Sequence, residues 1–181
     1  MRSLLFALFV AASPAFPAGT GLIFVSLERG NEVVVLNPDL TERTRIPTSR
    51  RPRDMQFNAD RTRLYVACGD DDVIEVIDVA TLRVVDAIPT GPSPEVFVFS
   101  PDETRIYVSN EEDSTMEMID VASGIVEARV PTGAEPEGVI NAVDGRHVFV
   151  TSEVSDMVHV VDAASARVVK NIIVGTRPRR F

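Results

Sequence analysis

Short apolar runs rich in valine and isoleucine, each cut off by a polar turn, recur from Leu22 onward. One unit opens with Met55-Gln56-Phe57 and the turn Asn58-Ala59-Asp60. Arg63-Leu64-Tyr65-Val66-Ala67 follows and ends in Gly69-Asp70-Asp71-Asp72. Next come Val73-Ile74-Glu75-Val76-Ile77-Asp78 and then Arg83-Val84-Val85-Asp86-Ala87-Ile88, closed by Pro89-Thr90-Gly91. β-Branched and aromatic side chains suit a pleated surface. No run reaches the ~12 residues of an ordinary helix. The pattern therefore predicts four short strands per unit, with turns such as Ser100-Pro101-Asp102-Glu103 between them.

The unit repeats every 42 residues. Tyr65, Tyr107 and Phe149 keep that spacing, as do Asp78, Asp120 and Asp162, and Pro52, Pro94, Pro136 and Pro178. A period of about 40–45 residues carrying four strands marks a propeller blade. The expected fold is all-β, a β-propeller of four-stranded antiparallel blades with about four blades present as an open arc. Full repeats span 52–93, 94–135 and 136–177. Residues 22–51 form an incomplete blade that lacks its first strand, and 178–181 start the next inner strand. An open arc would expose a blade face and invite self-association.

The first residues carry a different pattern. Arg2 precedes the apolar run Leu4 to Val10, which is shorter than the ~20 residues of a membrane span. Small and proline-rich residues follow. Residues 1–18 read as a secretory signal cleaved after Ala15 or Ala18, leaving 19–181 as the propeller and implying a periplasmic or secreted protein. No transmembrane segment is expected after cleavage. The formal net charge of -9 argues against nucleic-acid binding, which needs a basic face. Tryptophan is absent, so the Trp-Asp hallmark of one propeller class is missing.

Chemistry-bearing residues are sparse. Cys68 is the single cysteine and aligns with Asn110 and Ser152, so it reads as a small residue at a strand end. One thiol makes no internal bridge, and no Cys-x-x-Cys-His is present for haem attachment. His147 aligns with Arg63 and Arg105, and His159 with Glu75 and Glu117; the two lie on different strands, which does not suggest zinc. Asp70-Asp71-Asp72 lacks the alternating spacing of a calcium loop, and no Gly-x-Ser-x-Gly occurs. Asp78, Asp120 and Asp162 read as structural corners, their carboxylates accepting backbone N–H groups. Tyr65 and Tyr107 read as core. No catalytic residue, metal or cofactor is expected.

Charge concentrates at one end of the blades. Loops joining strands two and three, and those leading into the next blade, share a face. That face gathers Glu28, Asp70, Asp71, Asp72, Glu111, Glu112, Asp113, Glu153 and Asp156, with Arg50 and Arg51 at one end and Arg177 and Arg180 at the other. Arg53, Glu95, Glu137 and Arg179 follow the repeating proline and should ring the mouth of the central channel, as a docking face for a partner or a funnel for a polar ligand. The acidic turns read as solvated or as a secondary face.

These residues carry a family resemblance. Tyr107-Val108-Ser109-Asn110, Val76-Ile77-Asp78-Val79-Ala80-Thr81, Ile88-Pro89-Thr90-Gly91 and Phe99-Ser100-Pro101-Asp102 resemble the YVTN-type β-propeller repeat. The order of the less regular loops is similar to the PQQ-dependent catabolism-associated β-propeller group. Those loops are Arg50-Arg51-Pro52-Arg53, Cys68-Gly69-Asp70-Asp71-Asp72, Gly91-Pro92-Ser93-Pro94-Glu95, Glu135-Pro136-Glu137-Gly138 and Thr151-Ser152-Glu153. The run Asp156-Met157-Val158-His159 and the later Val174-Gly175-Thr176-Arg177-Pro178-Arg179 also fit. The resemblance implies a periplasmic seven-bladed propeller of roughly twice this length, in the setting of quinoprotein alcohol oxidation. On it rest the expectations of truncation from seven blades and of a non-enzymatic interaction module. The expected partner is a periplasmic protein, a quinoprotein dehydrogenase system among the candidates. The alternatives are a hydrolase or oxidoreductase completed by further blades, and a cell-surface adhesion or layer protein.

Overall fold

The computed structural model describes residues 20–181; the expected signal segment 1–18 lies outside the described residues. The strands pair in chain order into separate antiparallel sheets. The first holds β1 (Ile23–Leu27), β2 (Glu32–Leu36) and β3 (Glu42–Pro47). The second holds β4 (Pro52–Phe57), β5 (Arg63–Cys68), β6 (Val73–Asp78) and β7 (Arg83–Pro89). The third holds β8 (Pro94–Phe99), β9 (Arg105–Asn110), β10 (Thr115–Asp120) and β11 (Val126–Pro131). The fourth holds β12 (Pro136–Asn141), β13 (His147–Ser152), β14 (Met157–Asp162) and β15 (Arg167–Ile173). Among the described residues there is no helix, and so none long and apolar enough to cross a membrane. This is an open arc of propeller blades, three complete and one of three strands.

Side-chain alternation explains the arc. Leu64, Val66 and Cys68 on β5 pack with Val33, Val35 and Ile46 of the first sheet. Tyr65 and Ala67, on the other face of the same strand, pack with Phe97, Ile106 and Val108 of the third. Tyr107 on β9 then packs with Val148 and Val150 of the fourth. β5 and β9 are apolar on both faces because a neighbouring blade covers each face. Phe97 is fully buried; emptying such a site costs about 3–5 kcal/mol.

The repeat is also written in backbone conformation. Positive φ recurs at Arg51, Ser93, Glu135 and Arg177, and at Leu82, Gly124 and Ala166. Asp78, Asp120 and Asp162 occupy equivalent corners, accepting the N–H of Thr81, Ser123 and Ser165 at 2.7, 2.8 and 2.9 Å. These N–H bonds and the hydroxyls of the same residues hold the three carboxyls below the ordinary carboxylate range.

Residues beyond β15 continue the pattern. Thr151 donates its hydroxyl to the Arg179 carbonyl at 3.2 Å, as Ser109 does to the Glu137 carbonyl at 2.9 Å. Arg179 therefore sits where the inner strand of a following blade would run. Ile172 is 37% exposed, whereas Ile88 and Val130, its counterparts, are 5% and 1% exposed beneath the next blade.

Candidate functional site

The channel mouth is built at a repeated irregularity. β4 pairs with β5 through Pro52 opposite Cys68 and then Met55 opposite Val66, one extra residue on the inner strand. The same bulge separates Pro94 from Phe97 on β8 and Pro136 from Val139 on β12. A bulge re-aims the side chains it carries. Arg53, Glu95 and Glu137 are the first of the two residues inside each bulge, followed by Asp54, Val96 and Gly138.

A strained connector precedes each bulge. Arg51, Ser93, Glu135 and Arg177 adopt φ of 59°, 59°, 53° and 58°, immediately before proline. A left-handed non-glycine residue costs about 1–2 kcal/mol, and a following proline normally favours extended backbone. Neighbouring blades offset the strain. The N–H groups of Arg51, Ser93 and Arg177 are accepted by Asn31, Asp72 and Asp156 of the preceding blade at 3.0, 3.0 and 2.9 Å. The carbonyls of Arg51, Ser93 and Glu135 accept from Gly69, Glu111 and Glu153 at 2.9, 2.9 and 2.8 Å.

The four charges expected at the mouth are brought there, in two ion-paired clusters rather than an open ring. In the first, Arg53 Nη2 lies 2.5 Å from Glu95 Oε2, and Arg51 Nη2 lies 3.0 Å from Glu95 Oε1. Arg51 also reaches Glu111 at 3.5 Å and Glu28 at 3.3 Å. In the second, Arg179 bonds Glu137 at 2.7 Å and Glu153 at 2.7 Å, and Arg177 pairs with Glu153. Glu95, Glu137 and Glu153 are 1%, 5% and 2% exposed. Arg177, Arg179 and Arg180 each leave more than half of the side chain in solvent. Arg180 also reaches Asp54 of β4 at 3.6 Å, tying the C-terminal segment to the second blade.

Burial dominates the electrostatics of the first cluster. It pushes the Glu95 carboxyl up to about 8, the neighbouring Glu111 adds to the rise, and Arg53 and Arg51 oppose it. Burial also works upward on Glu111, but its hydrogen bond with Glu95 and the Arg51 charge bring that carboxyl below the ordinary range. Burial raises the Asp54 carboxyl as well.

The acidic turns divide into different roles. Asp71 pairs with Arg50 at 2.6 Å, Asp70 lies 3.8 Å from Arg51, and Asp72 accepts the Ser93 N–H. Asp113 takes the Thr115 hydroxyl at 2.7 Å. Glu112 is exposed and lines a groove of about 420 Å³ with Arg51, Glu111, Ser114, Ala134 and Glu135. Glu153, expected on a solvated turn, instead lies buried beneath Arg177 and Arg179, because the C-terminal segment folds over the end of β13. Glu75 and Glu117, which apolar neighbours in the strand pattern mask, are buried and accept connector N–H groups. Their shared repeat position with His159 was the available signal. Among the described residues, no group of three or more His, Cys, Asp or Glu side chains is arranged to hold a metal ion.

Comparison with known proteins adds the following. A family model described as YNCE-like beta-propeller matches residues 87–181, which include the third and fourth sheets whole. No curated protein sequence matches significantly. Among solved structures, Kuenenia stuttgartiensis hydrazine synthase is similar at a TM-score of 0.77 and 22% identity, over 85% of this chain and 46% of that one. A functionally unknown protein from Desulfotomaculum acetoxidans DSM 771 gives 0.72 and 19%, over 90% and 58%. Dihydro-heme d1 dehydrogenase NirN in complex with DHE gives 0.68 and 15%, over 88% and 35%. The chain thus spans between about a third and three-fifths of the length of these structures, and the likenesses show the fold.

Proposed function

The chain belongs to the YNCE-like beta-propeller family, and from that premise we propose that it is an exported, non-catalytic docking module that works through its channel-mouth face. The carrying observation is the layering of charge there. Buried Glu137 and Glu153 hold the exposed guanidinium groups of Arg177 and Arg179 in fixed positions. A guanidinium has five donors in a rigid fork, so one anchored from below still offers N–H groups outward. Anchoring before contact removes part of the ordering cost of association. Exposed Glu112 and half-buried Glu135 border the groove on the same face, so a partner with both acidic and basic groups fits it. The setting proposed is the quinoprotein alcohol oxidation that the sequence resemblance implies, with a component of that system as partner.

A photo-crosslinking residue at Glu112, compared with one at Val85 on the outer strand β7, tests this in cells that make the protein. The expected adduct forms from Glu112 and contains a quinoprotein dehydrogenase component. Adducts from Val85 alone would overturn the placement of the face. A partner of another class would remove the quinoprotein setting while keeping the docking role.

A second reading is that these blades form part of a larger propeller enzyme. It is favoured by the hydrazine synthase and dihydro-heme d1 dehydrogenase likenesses, where this chain spans less than half of the other. Turnover by a longer form that includes these blades, lost on mutating the mouth without loss of folding, would favour it.

A further inference from the structure

We propose that His159 is an acid-sensitive latch on the connector between the third and fourth blades. Each full blade fastens the connector that enters it by a side chain in the middle of its third strand. Glu75 Oε1 accepts from the Ser49 N–H at 3.0 Å and the Ser49 hydroxyl at 2.7 Å. Glu117 Oε2 accepts from the Gly91 N–H at 2.7 Å, while its other oxygen takes Arg129 Nε at 2.5 Å. In the fourth blade the acceptor is an imidazole: His159 Nε2 accepts from the Gly133 N–H at 2.9 Å. Its Nδ1 lies 2.8 Å from Asn171 Oδ1.

These contacts fix the tautomer. Nε2 must be bare to accept, so the proton sits on Nδ1 and is donated to Asn171. Asn171 stands at the repeat position of Arg129 and of Ala87, so the third blade sets a guanidinium beside its carboxylate where the fourth sets an amide beside its imidazole. The two arrangements do the same work at neutral pH and part company in mild acid. An ordinary imidazole gains its second proton there, whereas an ordinary carboxylate holds its charge to lower pH.

A second proton on His159 turns Nε2 from acceptor into donor, facing another donor. The site has little room to adapt. The ring is buried, and a Cβ placed on Gly133 would fall 2.8 Å from Nε2 and 2.4 Å from Ser155 Oγ. Across β13 the ring faces Val150. The charged and titratable groups on the elements around it are Glu135 on the connector, His147 on β13, Glu153 and Asp156 in the β13–β14 turn, Asp162 at the end of β14, and Arg167 and Lys170 on β15; among the described residues none forms an ion pair with it. Protonation therefore requires the Gly133 N–H to leave. Ala134, held by Ser155 Oγ at 2.9 Å, and Glu135 belong to the same connector and line the groove at the mouth. Acid thus loosens one wall of that groove, whether or not a partner docks there.

Amide hydrogen exchange on the full chain, corrected for intrinsic rates, tests the latch between about pH 7.5 and about pH 5, the interval in which histidine charges. The connectors at Gly91 and Gly133 are compared within one molecule. The expected result is a loss of protection at Gly133 and Ala134 of about tenfold or more, with little change at Gly91. His159→Gln, whose side-chain oxygen accepts at any pH, should remove the difference, and His147→Gln should leave it. Equal pH dependence of the two connectors in the unmutated protein, or a His159→Gln protein as acid-sensitive as its parent, would overturn the proposal.

Discussion

Arg53 on β4 and Glu95 on β8 occupy the same position one repeat apart, and their charged atoms meet at 2.5 Å. The Arg179–Glu137 pair, at 2.7 Å, repeats the relationship with the charges exchanged. Two of the three steps between these equivalent residues are therefore fastened at the mouth by opposite charges, while the step from β8 to β12 places Glu95 and Glu137, both acidic, at the equivalent positions. The first prediction follows: above about pH 8, where Glu95 is ionised, Arg53→Ala should lower the unfolding free energy by about 1–3 kcal/mol, because it strips a partner from a buried carboxylate. Arg51 retains part of the compensation, so the loss stays below that of an isolated buried pair. Arg53→Ala with Glu95→Ala should cost less than the sum of the single changes by about 1 kcal/mol or more. Additive losses in urea denaturation would separate the two residues energetically.

Ser109 carries a second interblade fastening. Its Oγ lies 2.9 Å from the Glu137 carbonyl and 3.1 Å from the Val96 carbonyl, which compete for its one proton, and accepts from the Val96 N–H at 3.3 Å. Ser109→Ala should destabilise the protein by about 2 kcal/mol, since a buried N–H loses its acceptor. A change within a few tenths of a kcal/mol in the denaturation midpoint analysis would show that the hydroxyl contributes little.

Much of the fold was legible because its signals are local and repeated. Valine-rich runs and turn residues mark strands, and a fixed period marks blades. The corners at Asp78, Asp120 and Asp162 followed from one acid before a short turn. The mouth was legible in position only. Arg53, Glu95, Glu137 and Arg179 could be placed by counting from the prolines, but their pairing depends on bulges and on the reach of arginines across blades. Glu153 shows the limit most plainly. A glutamate at the end of a strand looks solvated until Arg177 and Arg179, more than twenty residues later, are seen to cover it.

Cys68 should behave as a buried core atom. It is fully buried between the first two blades, and burial pushes its thiol up to about 12. The thiolate is the reactive form, so iodoacetamide at neutral pH should leave the native protein unmodified and label it after denaturation. Stoichiometric labelling of the folded protein, read by intact mass, would contradict the packing described.

Asp102 supplies the acid limb of the stability profile. The Ser100 hydroxyl first, then the N–H and hydroxyl of Thr104, hold its carboxyl down to about 2, against an ordinary value of 3.8. A depressed carboxyl contributes stability above its unfolded value and loses it as pH falls through the folded one. Asp102→Asn should therefore melt below the parent at neutral pH, and the gap should close between about pH 4 and about pH 2. A gap independent of pH over that interval would assign the loss to shape rather than to charge.

The docking face is tested most directly by reversing charges that the fold does not use. Glu112 and Glu135 border the mouth groove and have no ion-pair partner among the described residues, so Glu112→Lys with Glu135→Lys should leave folding intact. Asp86→Lys with Glu127→Lys makes the same change of charge on the exposed outer strands β7 and β11. Association with the crosslinked partner, followed by surface-immobilised kinetics at two salt concentrations, should slow for the mouth variant. The difference should shrink at high salt, where the screening length falls toward ~3 Å. The outer-strand variant should bind like the parent. Normal binding by the mouth variant, or weakened binding by the outer-strand variant alone, would contradict a partner docked at the channel mouth.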